Sequence, residues 1–464
     1  MLDDIISKFS ENKKLDKFEF SLRPNHDIDN PFTNISLNII GNLKQSIDKT
    51  DKSTIAAVLL DEAEENINFS YKIYSQIVDM KPEEEGLLFK ARLLEILDEI
   101  EDEHNYDGNP FTDLLNFTGI LTNITENKIN NDKLKNAFII TMLLFETMEE
   151  MRIRNIHVPY TLEFREYILN NQLTMLHVIC ARALQANDKS INNFIINEVL
   201  QYISRFAFNK NIDLCFDMLY FISLISDDES AEIITSIADE LKKHSPYAAS
   251  KMLVNYVNAG IIYTGDDSNK IVDFTCKNIN NIHLINNIVY TCLLTDDAVC
   301  AEKILEYFVS GKKITKKLKL SFYQQLQVVY SVLQNEKKYA ETAKERFALG
   351  DINAYFDAVD AYTSLGLYNN VKDELHSIAC KKMPIYEYCY LLAEHKEYGL
   401  LIERFKMIKS IKDTKDAIKF MDDKGIAIYD NNTNKELLHI LSEKAANNTN
   451  LAQHVQSLLS LITV

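Results

Sequence analysis

Apolar residues recur at three- and four-residue spacing through nearly all of the chain, which is the period of an amphipathic helix and not of a strand. The longest apolar run, Ala137 to Phe145 with one Thr inside, is about half of what a bilayer span requires, so no membrane span is expected. Asn30-Pro31-Phe32-Thr33 recurs as Asn109-Pro110-Phe111-Thr112, and each copy opens an apolar-periodic stretch. Asn caps a helix N-terminus well and Pro fits its first turn, so each copy predicts a helix start. Asp51-Lys52 with Ala56 is echoed by Asp132-Lys133 with Ala137 at nearly the same offset. Two echoes together predict two related helical units within residues 25–155.

The middle of the chain is punctuated differently. Leu224-Ile225-Ser226-Asp227-Asp228, Tyr263-Thr264-Gly265-Asp266-Asp267 and Leu293-Leu294-Thr295-Asp296-Asp297 each end one apolar segment and begin another. Short polar residues followed by paired acids suit a helix end, a turn and the positive end of the next helix dipole. A calcium loop does not fit, because no run of alternating acids with Gly and a terminal Glu is present.

Towards the C-terminus Tyr339, Tyr368 and Tyr398 are each preceded, six residues earlier, by Leu333, Tyr362 and Leu392. Ala343/Phe347, Val371/Leu375 and Leu401/Phe405 follow at helical spacing, and polar turns at Gln334-Asn335-Glu336-Lys337, Gly366 and Glu394-His395-Lys396-Glu397 separate the apolar sets. In this helix–turn–helix succession the chain resembles tetratricopeptide-like and HEAT-like α-helical repeat proteins, over residues 200–410. Leu365-Gly366-Leu367-Tyr368 has one residue fewer between Gly and Tyr than the tetratricopeptide pattern, so the resemblance implies an architecture and no particular family.

The organisation expected is an N-terminal segment (1–24), an N-terminal helical region with the duplicated unit (25–158), helix-hairpin repeats (159–410) and C-terminal capping helices (411–464). The fold class is all-α, a helical-repeat solenoid with an N-terminal helical region. A join is expected within residues 152–162, because Pro159 biases Val158 away from helical dihedrals.

Composition sharpens this picture. The chain has 11 Gly and 7 Pro among 464 residues, far below the roughly 12% that the two types together usually supply. That is too few turn residues for a sandwich, a propeller or a doubly wound sheet. The excess of 68 Asp+Glu over 50 Lys+Arg gives a net charge of −18, which repels phosphate backbones and argues against nucleic acid as a partner. Cys180, Cys215, Cys276, Cys292, Cys300, Cys380 and Cys389 lack metal-ligand or disulfide-framework spacing, and the first residues lack a secretory leader pattern. Reduced thiols in a cytoplasmic compartment are expected, with delivery by a non-classical route left open.

The tools of catalysis are missing from the sequence. It contains no dinucleotide-binding Gly pattern, and the Gly260/Gly265 pair is followed by Asp266-Asp267 where a P-loop needs Lys and Ser or Thr. Two Glu-x-x-His spacings, Glu101/His104 and Glu436/His439, are at chance level, so neither a metal nor another cofactor is expected. The acidic stretch Glu95–Asp107 reads as the solvated face of a helix, with a docking surface for a basic helix as the alternative. Against this background one basic run stands out: Lys312, Lys313, Lys316, Lys317 and Lys319. At helical angles Lys312, Lys316 and Lys319 share a stripe, underlain by Ile314, Leu318 and Phe322. It is either a solubilising face or a contact for an acidic protein or anionic surface.

These features predict a non-enzymatic cytoplasmic interaction or scaffold protein with a protein or peptide partner, as a component or cargo of a larger assembly. The alternatives are a helical-repeat regulator that clasps a short peptide, and an enzyme with an atypical all-α site.

Overall fold

The structure, a computed structural model, describes residues 51–101, 110–156, 161–206, 212–244, 250–264, 268–278, 281–311, 314–423 and 431–445. The fold is all-α and 86% helical, with 21 helices and no strand among the described residues. In chain order these are α1 (Lys52–Glu65), α2 (Ile67–Ile77), α3 (Pro82–Glu101), α4 (Pro110–Asn130), α5 (Leu134–Ile153), α6 (Thr161–Ala186) and α7 (Lys189–Phe206). Next come α8 (Ile212–Ser223), α9 (Asp228–His244), α10 (Ser250–Tyr263), α11 (Ser268–Lys277), α12 (Ile282–Leu294), α13 (Ala298–Ser310) and α14 (Lys316–Val332). The last are α15 (Glu336–Ala348), α16 (Ala354–Ser364), α17 (Tyr368–Lys382), α18 (Ile385–Glu394), α19 (Tyr398–Met407), α20 (Ile411–Asp423) and α21 (Asn431–Ala445).

A chain this poor in glycine must end its helices by other means, and it does so with polar residues forced into the left-handed region. Asp132, Asn155, Asp296, Gln334 and Lys396 have φ of +56°, +60°, +67°, +54° and +59°, and Gly366 has +67°. In each case the next N–H reaches back to a carbonyl of the last helical turn: Lys133 to Lys128 at 2.8 Å, Ile156 to Met151 at 2.9 Å, Asp297 to Cys292 at 2.8 Å. Asn335 to Tyr330, Leu367 to Tyr362 and Glu397 to Leu392 repeat it at 2.9, 2.8 and 2.8 Å. The bond satisfies a carbonyl that the helix end would otherwise leave without a partner. The acid pairs then act on the following helix: Asp227 accepts from the Ser230 N–H at 3.0 Å, and Asp297 from the Cys300 N–H at 3.2 Å.

The chain divides into two compact units, with the boundary inside α13 between Ile304 and Leu305. In the first unit α3, α4 and α5 pack around Phe89, Phe117 and Leu144, and Tyr71 of α2 stands edge-on to Phe117 at 5.5 Å. α5 is buried on most of its circumference, which is why its sequence carries the longest apolar run. Pro110 opens α4 as its spacing predicts, while Asn30-Pro31-Phe32-Thr33 lies outside the described residues. Both members of the second echo stand at helix starts, though for different reasons. Asp51 caps α1 by accepting from the Thr54 N–H at 2.9 Å, whereas Asp132 closes the preceding helix through its backbone. Their surroundings differ as well, because α1 buries no side chain and α5 is the most enclosed helix of its region.

Within the same unit α6 departs from simple succession. It packs on α8 and also on α12, more than a hundred residues away in sequence. α8 and α10 approach closely because Gly260 has no side chain: a Cβ there would lie 1.8 Å from Ser223 Oγ and 3.0 Å from the Tyr220 carbonyl oxygen. The helix predicted to stop before Pro159 ends at Ile153, and Asn155 turns the chain there; Pro159 itself lies outside the described residues.

In the second unit α14/α15, α16/α17 and α18/α19 form successive hairpins, each helix packing on neighbours one or two places along, with α20 on α18 and α21 on α19. Their shared core includes Phe347, Tyr355, Leu375, Leu392 and Phe405. The hairpin register differs from the sequence alignment in one respect. The turn residues Gln334, Gly366 and Lys396 are equivalent, so Tyr330, and not Leu333, matches Tyr362 and Leu392. Tyr368 and Tyr398 begin the second helices of their hairpins, where Glu336 begins the first one, and Tyr339 lies a turn further in. Leu458–Ile462, the expected apolar end cap, lies outside the described residues.

The turn chemistry makes opposite substitutions distinguishable. A Cβ at Gly366 would meet nothing within 4 Å. Gly366→Ala should therefore cost about 1 kcal/mol through φ alone, and Lys396→Gly should gain a few tenths up to about 1 kcal/mol. Urea denaturation checks this: shifts of the same sign would show that the left-handed closure does not set the energetics of these turns.

Candidate functional site

The lysine run is built on the start of α14. Thr315 is extended (φ −64°, ψ +151°) and its hydroxyl accepts from the Leu318 N–H at 3.4 Å, so the helix begins at Lys316. α14 therefore does not carry the whole stripe: Lys312 and Lys313 precede it and lie outside the described residues. Lys316 and Lys317 are exposed and Lys319 is half-buried, its ammonium 5.7 Å from the centre of the Tyr323 ring. Phe322 is fully buried beneath them, with Ile314 and Leu318 half-buried. The Lys316 ammonium reaches towards Gly350, just beyond the end of α15, where a Cβ would stand 3.6 Å from it. It thus faces the negative pole of α15, an internal role that spacing could not reveal. Nearby Lys338 and Lys344 pair with Glu306 and Glu374 at 2.7 and 2.8 Å; among the described residues Lys316, Lys317 and Lys319 have no such carboxylate. All three also sit at the positive end of their own helix, where a cation is disfavoured.

The acidic stretch is partly consumed internally. Arg154 at the end of α5 binds Asp98 at 2.5 Å and Glu101 at 3.1 Å, and Arg92 lies 3.3 Å from Glu95 and 3.5 Å from Glu99. Its remainder, with His104, lies outside the described residues. Of the other Glu-x-x-His pair, Glu436 is bound by Lys406 at 2.7 Å and His439 faces Glu443 at 3.4 Å, both on the surface. Among the described residues no group of three His, Cys, Asp or Glu side chains is placed to hold a metal ion.

Two buried polar clusters escaped the sequence reading. Where α2, α3, α4 and α5 meet, the Glu85 carboxylate is fully buried and bound by Lys128 at 2.7 Å, Ser75 at 2.5 Å and Asn136 at 2.6 Å. Breaking such a group by removing one partner leaves an uncompensated charge, which costs far more than an exposed pair is worth. In the second cluster the Thr291 hydroxyl donates to the Asn287 carbonyl at 2.8 Å. Having one proton, it must accept from both the His177 Nε2–H and the Tyr220 hydroxyl, each at 2.7 Å. This fixes His177 as the neutral Nε2–H tautomer. Its ring stacks on Phe221 at 4.6 Å, and complete burial pushes its pKa down to about 3. His177 and Thr291 carry no local sequence signature, because the contact joins α6 to α12.

An open groove of about 640 Å3 lies between α9 and α10. Its walls include Glu232, Asp239 and Glu240 from α9, with Ile261 of α10 half-buried at its floor. Glu232, Asp239 and Glu240 recur at helical spacing in the sequence, although nothing there marks the neighbouring helix.

No disulfide links the seven cysteines, and Cys380 is the exposed one. Arg404 Nη1 donates to its sulfur at 3.3 Å. Burial pushes Cys276 up to about 11 and Cys389 up to about 12. No helix among the described residues is long and apolar enough to cross a membrane. Comparisons of the chain with protein-family models, curated proteins and solved structures find no match.

Two measurements follow from these environments. A depressed histidine pKa means that the unfolded chain takes up a proton that the folded chain refuses. His177 therefore contributes stability that is full above the ordinary value of 6.5 and is lost as pH falls towards 3. Between pH 7.5 and 5.0 wild type should lose about 2 kcal/mol more than His177→Gln; equal losses would show that His177 is not held neutral. Titration of the native chain with an aromatic disulfide reagent should show one fast thiol, which Cys380→Ser removes; fast reaction persisting in that variant would contradict the burial of the others.

Proposed function

We propose that the chain is a non-enzymatic interaction protein that holds an acidic protein partner at the lysine-bearing start of α14. The observation that carries this reading is the placement of Lys317 and Lys319. They stand at the positive end of their own helix with no described carboxylate to offset them, on a chain of net charge −18. As cations at a helix N-terminus they oppose the helix dipole, so folding gives little reason for them. An acidic partner would supply the missing counter-charge and be steered to that edge.

The hairpins support the reading in a second way. A succession of helices that pack on near neighbours offers long surfaces and few deep clefts, the geometry of helical-repeat scaffolds. A cytoplasmic setting is supported by cysteines that form no disulfide and are mostly buried.

Charge reversal separates a partner contact from a solubilising face. Lys317→Glu/Lys319→Glu places acids at a helix N-terminus and should leave the chain as stable as wild type or more stable by a few tenths of a kcal/mol. The same variant should recover several-fold less of the partner that wild type captures from native cells, the loss being larger at low salt. Equal recovery at low salt would identify the stripe as a solvated face.

A further inference from the structure

We propose that the groove between α9 and α10 is a second docking surface, of opposite polarity to the lysine edge, and that it takes a cationic amphipathic helix. The groove runs along α9 from Ala231 to Lys243, about 18 Å at the rise of an α-helix. Its α9 wall consists of two i, i+4 rows, Ala231–Thr235–Asp239–Lys243 and Glu232–Ser236–Glu240. Rows of this spacing are the ridges against which another helix packs, so a helix is the shape that fits. Ala231, Thr235 and Ile261 are half-buried, which gives the groove a shallow floor of small and apolar side chains on which a short apolar residue can rest.

Charge selects the occupant. Glu232, Asp239 and Glu240 stand exposed along the rim, two helical turns separating the first from the others. Lys242 lies 3.9 Å from Asp239 and Lys243 lies 2.7 Å from Glu240, and no ion pair engages Glu232 among the described residues. Those pairs are exposed contacts one turn apart, worth little and readily exchanged for an incoming cation. A helix with Lys or Arg seven or eight positions apart beside a short apolar stripe would meet Glu232 at one end and Asp239 or Glu240 at the other. An acidic helix would be repelled by this rim, and an uncharged one would gain nothing from it. Together with the lysine edge, the groove would let one chain join an acidic partner to a basic one. That consequence depends on the reading above; the groove itself does not.

The test uses the full-length chain and a fluorescent, end-capped 15-residue alanine-rich helix carrying lysines along one face and two leucines beside them. Its counterpart has glutamate for each lysine. Fluorescence anisotropy should show saturable binding of the lysine helix and none of the glutamate helix. Glu232→Gln/Asp239→Asn should weaken binding about tenfold, as expected for losing two charged contacts. Asp61→Asn/Glu64→Gln, which changes net charge equally on the exposed face of α1, should leave it unchanged. Equal affinity for wild type and the groove variant, equal weakening by the α1 variant, or binding of both helices alike would each overturn the proposal. Because Lys317 and Lys319 are untouched, failure here leaves the acidic-partner reading standing, and loss of that reading leaves this one.

Discussion

The left-handed closure at the helix ends is the constraint on which the rest of the fold depends. At six helix ends one residue accepts a positive φ and the next N–H reaches back into the helix just completed. At five of the six that residue is Asp, Asn, Gln or Lys, each of which tolerates the conformation at some cost, and at the sixth it is Gly366. A continuous helix would expose the apolar positions that the hairpins bury, such as Leu392 and Phe405. The strain is thus offset by tertiary packing, the usual source of helix stability in a protein.

Packing between near neighbours does not by itself hold distant helices together, and here the two buried polar clusters contribute. Glu85 with Lys128, Ser75 and Asn136 ties four helices at one point, and the Thr291 hydroxyl ties α6 to α8 and α12. Both are fully hydrogen-bonded at the atoms that meet, so they act as registers: a slip of one turn would strand a buried charge or leave two donors facing nothing. Rigid packing in turn fixes the surfaces. The lysines of α14 share their helix with the buried Phe322, and the carboxylates of α9 share theirs with the buried Ile234, Ala238 and Leu241. An interaction protein needs charged groups placed this firmly, because flexible ones lose in entropy what they gain in contact.

Much of the fold was legible because it is written locally. Apolar spacing gave the helices, and the acid pairs at Asp227-Asp228 and Asp296-Asp297 mark real turns: Asp227 and Asp297 cap the following helix, and Asp296 also takes a left-handed backbone. Tyrosine spacing aligns Leu333 with Tyr362 and Leu392, whereas the left-handed turn at Gln334 puts Tyr330 in that place. The His177–Thr291 contact was illegible in principle: it spans 114 residues, and neither residue is unusual in its own neighbourhood. For the lysine run, sequence gave the charge but not where the helix starts. The extended Thr315 shows where the helix starts, and the Lys316 ammonium lies beside Gly350.

The central claim is that this chain works by holding another protein and not by transforming a small molecule. Native mass spectrometry of the chain isolated from its own cells at low salt tests it most directly. The account predicts a complex with a protein partner in fixed ratio that dissociates as salt is raised. A chain that flies alone with a stoichiometric metal ion or small molecule bound would contradict it.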